Sequence, residues 1–259
     1  MRSPAPAAPA VEIAVTSPTG VRAAISGGAD RIELCAALEL GGLTPTLMMT
    51  EHAVATGIPV HVLIRCRPGG FLYSREEISW MADEAAHAVA AGAAGVVFGA
   101  LKLEGRIDTE ALRRISNAAR EAGPAAQLTF HRAIDHLRDP ADHLEDLAAL
   151  GVHRVLTSGG APTVDQGLSA IRRMLERDSG IEIMAGGGIS LDHLDRILAI
   201  GVHAIHLSAK AEVRQASRHW STVVPTAPAE GEIHYETDES TVHAATRRAR
   251  RTPARGRTD

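Results

Sequence analysis

The chain has 259 residues, enough for one large α/β barrel or two smaller domains. It is 45% hydrophobic but only 3% aromatic, so its core must be built from Ala, Val, Ile and Leu, as in helices packed on β-branched strands. A net charge of −4 argues against a surface that coats nucleic acid, and two cysteines exclude a disulfide framework and fit a reducing cytoplasm. No apolar run reaches the length of a membrane span.

The opening MRSPAPAAPA (residues 1–10) lacks the apolar stretch of a signal peptide and reads as a disordered tail. From Val11 the pattern alternates strand and helix. Val11–Val15 is a strand, and Ser17-Pro18-Thr19 opens a helix that ends at Gly27-Gly28. Arg31–Cys35 is the second strand, and Thr44 with Pro45 predicts the cap and first turn of a helix closing at Gly57. Pro59–Arg65 is the third strand, followed by a capping box of Ser74 and Glu77 for a helix to Ala91. Gly95–Leu101 is the fourth, and Asp108 caps the helix to about Gly123. Gln127–Ala133 is the fifth strand, with Asp139-Pro140 opening a helix to Leu150. Arg154–Gly159, Glu182–Gly188 and Ala204–Lys210 are the remaining strands, separated by helices over Thr163–Arg177 and from Ser190 to Ile200.

Four glycine units, Gly28-Ala29-Asp30, Gly92-Ala93-Ala94, Gly151-Val152-His153 and Gly201-Val202-His203, end a helix and lead into every second strand. Quarter-barrel repeats leave such an echo. Eight strands in this length predict a (β/α)8 barrel over residues 11–250, ahead of an open doubly wound sheet. A long loop is expected over 211–236, placed over the barrel mouth, then a final helix at about 238–250 and a disordered tail at 251–259. The arginines at the end of the chain suit a helix terminus and a solvated tail better than nucleic acid.

In such a barrel, carboxyl strand ends carry the site. The stretch QLTFHRAID (127–135) delivers His131, Arg132 and Asp135 to one such end, with His131 as acid or base oriented by Asp135. Alternation turns Glu33 inward as a second proton-transfer group, and turns Arg65 and, just beyond, Arg67 toward the mouth as anion ligands. Glu12 and His61 sit deeper, and inward Glu12 and Glu33 require partners among Arg65 and the histidines. Thr157, Ser158, Gly159, His206 and Ser208 end other strands. The amides of Gly186, Gly187 and Gly188, just before a helix, form a candidate cradle for phosphate or carboxylate. His87, His136, His143, His153, His193 and His203 are expected at the surface.

The segments GGADRIELC (27–35), GGLTPT (41–46), PVHVLIR (59–65), FLYS (71–74), GVVFGAL (95–101), TFHRAID (129–135), RVLTSGG (154–160) and IMAGGGI (183–189) together resemble the CutC family of copper homeostasis proteins. The resemblance runs in register from about Val11 to Lys210. It implies a (β/α)8 barrel, a cytoplasmic homodimer or homotetramer, and a copper ion, Cu(I), as ligand. Cu(I) selects soft sulfur, which points to Cys35, matching the cysteine of the family's ADRIELC motif, and to Cys66. Alternation places Cys66 on the face opposite Arg65, so a two-cysteine site requires a bend after that residue. Two readings therefore stand: a copper-binding protein, and an enzyme acting on a small anionic metabolite.

Overall fold

The structure, a computed structural model, describes residues 8–214 and 233–252. Most of the two expected tails, and residues 215–232 of the expected long loop, lie outside the described residues. The strands are β1 (Ala10–Val15), β2 (Arg31–Leu34), β3 (Val60–Leu63), β4 (Gly95–Phe98), β5 (Leu101–Lys102), β6 (Arg106–Ile107), β7 (Gln127–Phe130), β8 (Arg154–Thr157), β9 (Glu182–Gly186), β10 (Ala204–Leu207), β11 (Lys210–Arg214) and β12 (Ile233–Thr237). The helices are α1 (Pro18–Ser26), α2 (Leu47–Val54), α3 (Arg75–Ala90), α4 (Thr109–Ala122), α5 (Leu144–Ala149), α6 (Leu168–Glu176), α7 (Leu191–Leu198) and α8 (Glu239–Arg251).

Parallel pairing in the order β1-β10-β9-β8-β7-β4-β3-β2 closes a barrel, with β1 bonded to both β10 and β2. This is the predicted TIM barrel. Alternation divides each strand between two cores. Val11, Ile13, Ile32, Leu34, Val60, Val62 and Ile64 pack outward against the helices. The helices answer with apolar stripes: α3 buries Ile78, Met81, Ala82, Ala85, Ala88 and Val89 at helical spacing. Inside the barrel, charged and small residues stand beside apolar ones such as Leu63, Val97, Leu156 and Met184.

Several boundaries differ from the prediction. Thr44 caps no helix; its hydroxyl accepts the N–H of Arg65 and its own N–H donates to the Arg65 carbonyl, tying it to the end of β3. Thr46 caps α2 instead. The fifth predicted strand stops at Phe130, where a 3-10 turn over Arg132–His136 begins. The last predicted strand stops at Leu207, because Ala209 turns left-handed (φ 44°) and starts the antiparallel β11–β12 hairpin. That hairpin sits beside the N-terminus of α1, where Ser17 Oγ donates to Glu236 at 2.9 Å. Its base thus lies on the mouth side of the barrel. Among the described residues no helix is long and apolar enough to cross a membrane.

Candidate active site at the barrel mouth

A cavity of about 380 Å³ opens at the carboxyl ends of the strands. That is near the lower bound for small-molecule sites, so it suits a small metabolite. Glu33 and His206 lie in its wall, with Arg65, His131, Arg132, Gly187, Gly188 and Ser208. The structure therefore gathers residues from β2, β3, β7, β9 and β10 that are distant in sequence.

On the β1–β2–β10 side, three titratable groups touch in a row. His206 Nδ1 lies 2.8 Å from Glu12 Oε1, and its Nε2 lies 4.0 Å from Glu33 Oε1. Glu12 is fully buried and accepts from Arg31 Nε at 2.6 Å. Despite that burial, the bonds from His206 and Arg31 hold its carboxyl far below the usual range. Glu33 has no such cation in contact. Burial, and then the charge of Glu12, raise it to about 7, against the pull of His206. Its Oε2 has no hydrogen-bond partner. His206 is raised, since the carboxylates of Glu33 and Glu12 outweigh its burial. Sequence reasoning expected Arg65 or a histidine for both acids. Glu12 met a histidine and an arginine, and Glu33 faces a histidine alone.

Arg65 is used mainly to pin loops. Its Nη1 donates to the carbonyls of Leu40 and Gly42 and its Nη2 to that of Gly69, leaving only Nε unpartnered. Arg67 does not line the cavity. It pairs with Glu77, caps the carbonyl of Leu72 and lies over the Tyr73 ring, because the chain has left the strand alternation by then.

At the end of β7 the expected His131–Asp135 pair does not form. His131 Nδ1 accepts the N–H of Ala133 at 3.1 Å, which starts the 3-10 turn and carries Asp135 toward β8. There Asp135 accepts from Thr157 Oγ1, the amides of Ser158 and Gly160, Ser158 Oγ and Arg132 Nε. Thr157, Ser158 and Gly159 are thus the scaffold of a loop; a Cβ at Gly159 would stand 2.4 Å from the Gly167 carbonyl. His131 is 5% exposed, its Nε2 has no partner, and burial lowers its pKa to about 3. Phe71 packs on its ring at 4.7 Å and on His136 at 5.3 Å. Both line the cavity, and sequence reasoning missed both, placing His136 on the general surface. The FLYS segment was the available signal for Phe71.

After β9, Gly187 (φ 103°) and Gly188 (φ 74°) adopt conformations that favour glycine. Among the described residues the amides of Gly187, Gly188 and Ile189 donate to no protein acceptor, while all three residues face the cavity. The Arg132 guanidinium lies close by: a Cβ on Gly187 would stand 3.0 Å from its Cζ. Gly186 belongs to the barrel interior, against Leu156 and His206. Free amides ahead of α7, with a cation beside them, are chemically an anion cradle.

The cysteines do not meet. Cys35 packs inside the barrel with Leu63, Val97 and Leu38, whereas Cys66 packs against the outer, helix-facing core. The chain bends over residues 66–69, but not so as to bring the two thiols together. Burial raises both thiols, Cys35 far above its ordinary value. A paired-thiolate site for Cu(I) does not fit this arrangement. Among the described residues, the side chains close enough together to hold a metal ion are Glu12, Glu33 and His206, within 4.8 Å of one another, with hard or borderline donors.

Below the mouth, charges missed in the sequence form a layer across the barrel. Arg31 bridges Glu12 and Glu182, and Arg154 reaches Glu182, Thr129 and His61. Arg31, Arg154 and Glu182 begin their strands with inward parity. That parity, already applied to Glu33, was the signal for Arg31.

The closed parallel barrel, with a charged interior and a polar mouth cavity after β9 and β10, defines a TIM barrel whose site is built from loops at strand ends. The chain belongs to the CutC family, whose sequence profile matches residues 10–211. It is 39% identical over 203 residues to a CutC family protein of Rhizobium meliloti, covering 78% of this chain and 81% of that one. It is 41% identical over 206 residues to one of Glaesserella parasuis, covering 78% and 83%. The crystal structure of CutC from Streptococcus agalactiae, a protein provisionally assigned to copper homeostasis, superposes with a TM-score of 0.72 at 29% identity, covering 77% of this chain and 98% of that one. Thiamine phosphate pyrophosphorylase of Pyrococcus furiosus, at 16% identity and a TM-score of 0.56 over 93% of this chain and 95% of that one, shares the fold.

Proposed function

We propose that the chain is an enzyme that binds a small anionic metabolite in the mouth cavity and moves a proton on it. The observation that carries this reading is the pairing, within one cavity, of unpartnered amides at Gly187–Ile189 with a buried carboxyl, Glu33, that titrates near neutrality. Arg132 and the amides hold the anion, and Ser208 lies in the same wall. Glu33 is the proton acceptor. His131 completes the site, while Asp135, Thr157 and Ser158 position Arg132 and the adjoining loop. A copper-binding role, carried over from the provisional assignment of the Streptococcus agalactiae protein, would find inside the barrel a single thiol, Cys35, and the hard or borderline donors of Glu12, Glu33 and His206. One protonated, apolar-packed thiol is a poor basis for it.

The anion cradle is tested by thermal melting with inorganic phosphate and with small phosphorylated or carboxylated metabolites. Ligand that binds only the native state raises the melting temperature by mass action. The wild type is expected to be stabilised. Gly187→Ala, which crowds Arg132 and strains a positive φ, and Arg132→Ala are expected to abolish the effect. Stabilisation unchanged in both variants would place the anion elsewhere and overturn the reading.

A further inference from the structure

Granted the anion cradle, two side chains facing the same cavity narrow the chemistry further. The first is His131. Because Ala133 N–H donates to Nδ1, the ring carries its proton on Nε2. It therefore offers a hydrogen-bond donor, not a base, and that donor has no protein acceptor. Phe71 on one side and Gly99 at its edge hold the ring in place; a Cβ at Gly99 would stand 2.7 Å from Cε1 and Nδ1. A neutral imidazole fixed in this way suits an oxygen that gains negative charge during reaction.

The second is Glu33, three strands away around the barrel from β7, with a free Oε2. His206 faces its other oxygen and is itself oriented by Glu12. No lysine or cysteine lines the cavity among the described residues, so neither a Schiff base nor a thioester is available there. Ser208 is present but has no base hydrogen-bonded to it.

We propose that the substrate is a small carbonyl compound bearing a phosphate or carboxylate, and that the site removes the proton from the carbon next to the carbonyl. In this step the C–H bond breaks and its proton passes to the Glu33 carboxylate. The C–H electron pair becomes the C=C bond of an enolate, and the carbonyl π pair becomes a lone pair on oxygen. The charge on that oxygen is met by His131 Nε2–H. Return of a proton from Glu33 to carbon restores the carbonyl group, so no oxidant, reductant or further reactant is required.

The experiment uses the full chain in D2O with dihydroxyacetone phosphate and 2-oxobutyrate, a phosphorylated and a carboxylated ketone, extended to every such ketone that raises the melting temperature. Proton NMR follows loss of the hydrogen next to the carbonyl. Exchange well above the enzyme-free rate is expected for ketones that stabilise the protein, and which probe does so separates phosphate from carboxylate. Glu33→Gln, and His131→Phe, which keeps a ring and removes the donor, are each expected to slow exchange by about 100-fold or more while retaining the thermal shift. Binding without exchange overturns the proposal and leaves the anion cradle standing. Exchange unaffected in Glu33→Gln, or abolished by a chelator, also overturns it, the latter by making Glu33 and His206 metal ligands. Absence of any anion stabilisation overturns both readings.

Discussion

A carboxyl group kept poised for chemistry weakens the fold that holds it. Glu33 titrates at about 7 when folded, against an ordinary value of 4.5. Because the folded value is raised, its share of stability is intact below about pH 4.5 and is lost as pH rises through 7. Glu33→Gln keeps the shape and removes the ionisation. At pH 8 the variant is expected to be more stable than the wild type by about 1–2 kcal/mol, and at pH 4.5 about equal to it. The loss of the attraction to His206 trims the gain. Urea midpoints at the two pH values check this; a variant weaker at both would show that the ionised carboxylate supports the structure. Glu33 was legible in the sequence because period-two alternation holds inside a strand. The role of Asp135 was not legible. One side-chain bond, from Ala133 N–H to His131 Nδ1, ends the strand and hands Asp135 to another loop, and no periodicity encodes that bond.

The repeated glycine units have a structural meaning that the sequence only hinted at. In each, the third residue donates its N–H to a carbonyl near the start of the preceding strand: Asp30 to Val11, Ala94 to Val60, His153 to Leu128 and His203 to Ile183. In three of the four, the side chain also accepts the N–H of that same strand residue. Val11 N donates to Asp30 Oδ2 at 2.7 Å, Leu128 N to His153 Nδ1 at 2.9 Å, and Ile183 N to His203 Nδ1 at 2.9 Å. The helix-to-strand turn thereby clips the strand before it. Ala94 lacks the acceptor, and among the described residues Val60 N–H has no partner. Ala94→Asp is expected to supply it and to raise stability by about 0.5–1.5 kcal/mol, read as a higher urea midpoint with an unchanged slope. A lower midpoint would mean the four turns are not equivalent. Strands and helices were largely legible because closed parallel sheets impose strong patterns. The short β5–β6 and β11–β12 hairpins were not, since two to five residues outside the barrel carry little periodicity.

Over the whole molecule, buried charge sets how stability responds to pH. Thirteen histidines in a chain predict sensitivity to mild acid, but only the structure shows which of them matter and in which direction. Burial, with a further push from Arg154 and Arg31, lowers His61 to about 4, and burial and then Arg65 lower His131 to about 3, so neither takes a proton near pH 5 when folded. Unfolded, both are protonated below their ordinary value of 6.5. Stability held by these two is therefore present above pH 6.5 and drains away as pH falls through 4. Glu33 opposes them by one proton between about 4.5 and 7, which leaves a net loss of about 1.4 kcal/mol per pH unit as pH falls from 6.5 to 4.5. Below about 4.5 the compensation from Glu33 ends. Glu12, held low against the cost of burial by His206 and then Arg31, and Glu182, held low by Arg154 and Arg31, then join the loss, so the slope steepens. Above 6.5 the raised His206 acts the other way: the folded state keeps a proton that the unfolded chain sheds, so stability falls as pH rises. These opposing trends place the maximum near pH 6.5. Urea midpoints from pH 3.5 to 8.5 should trace an asymmetric dome, steeper on its acid side, with a break near 4.5. A stability that holds level or climbs from pH 6.5 down to 4.5 would mean that the interior histidines take up protons without leaving the fold, and that the charged layer is wetter than its packing indicates.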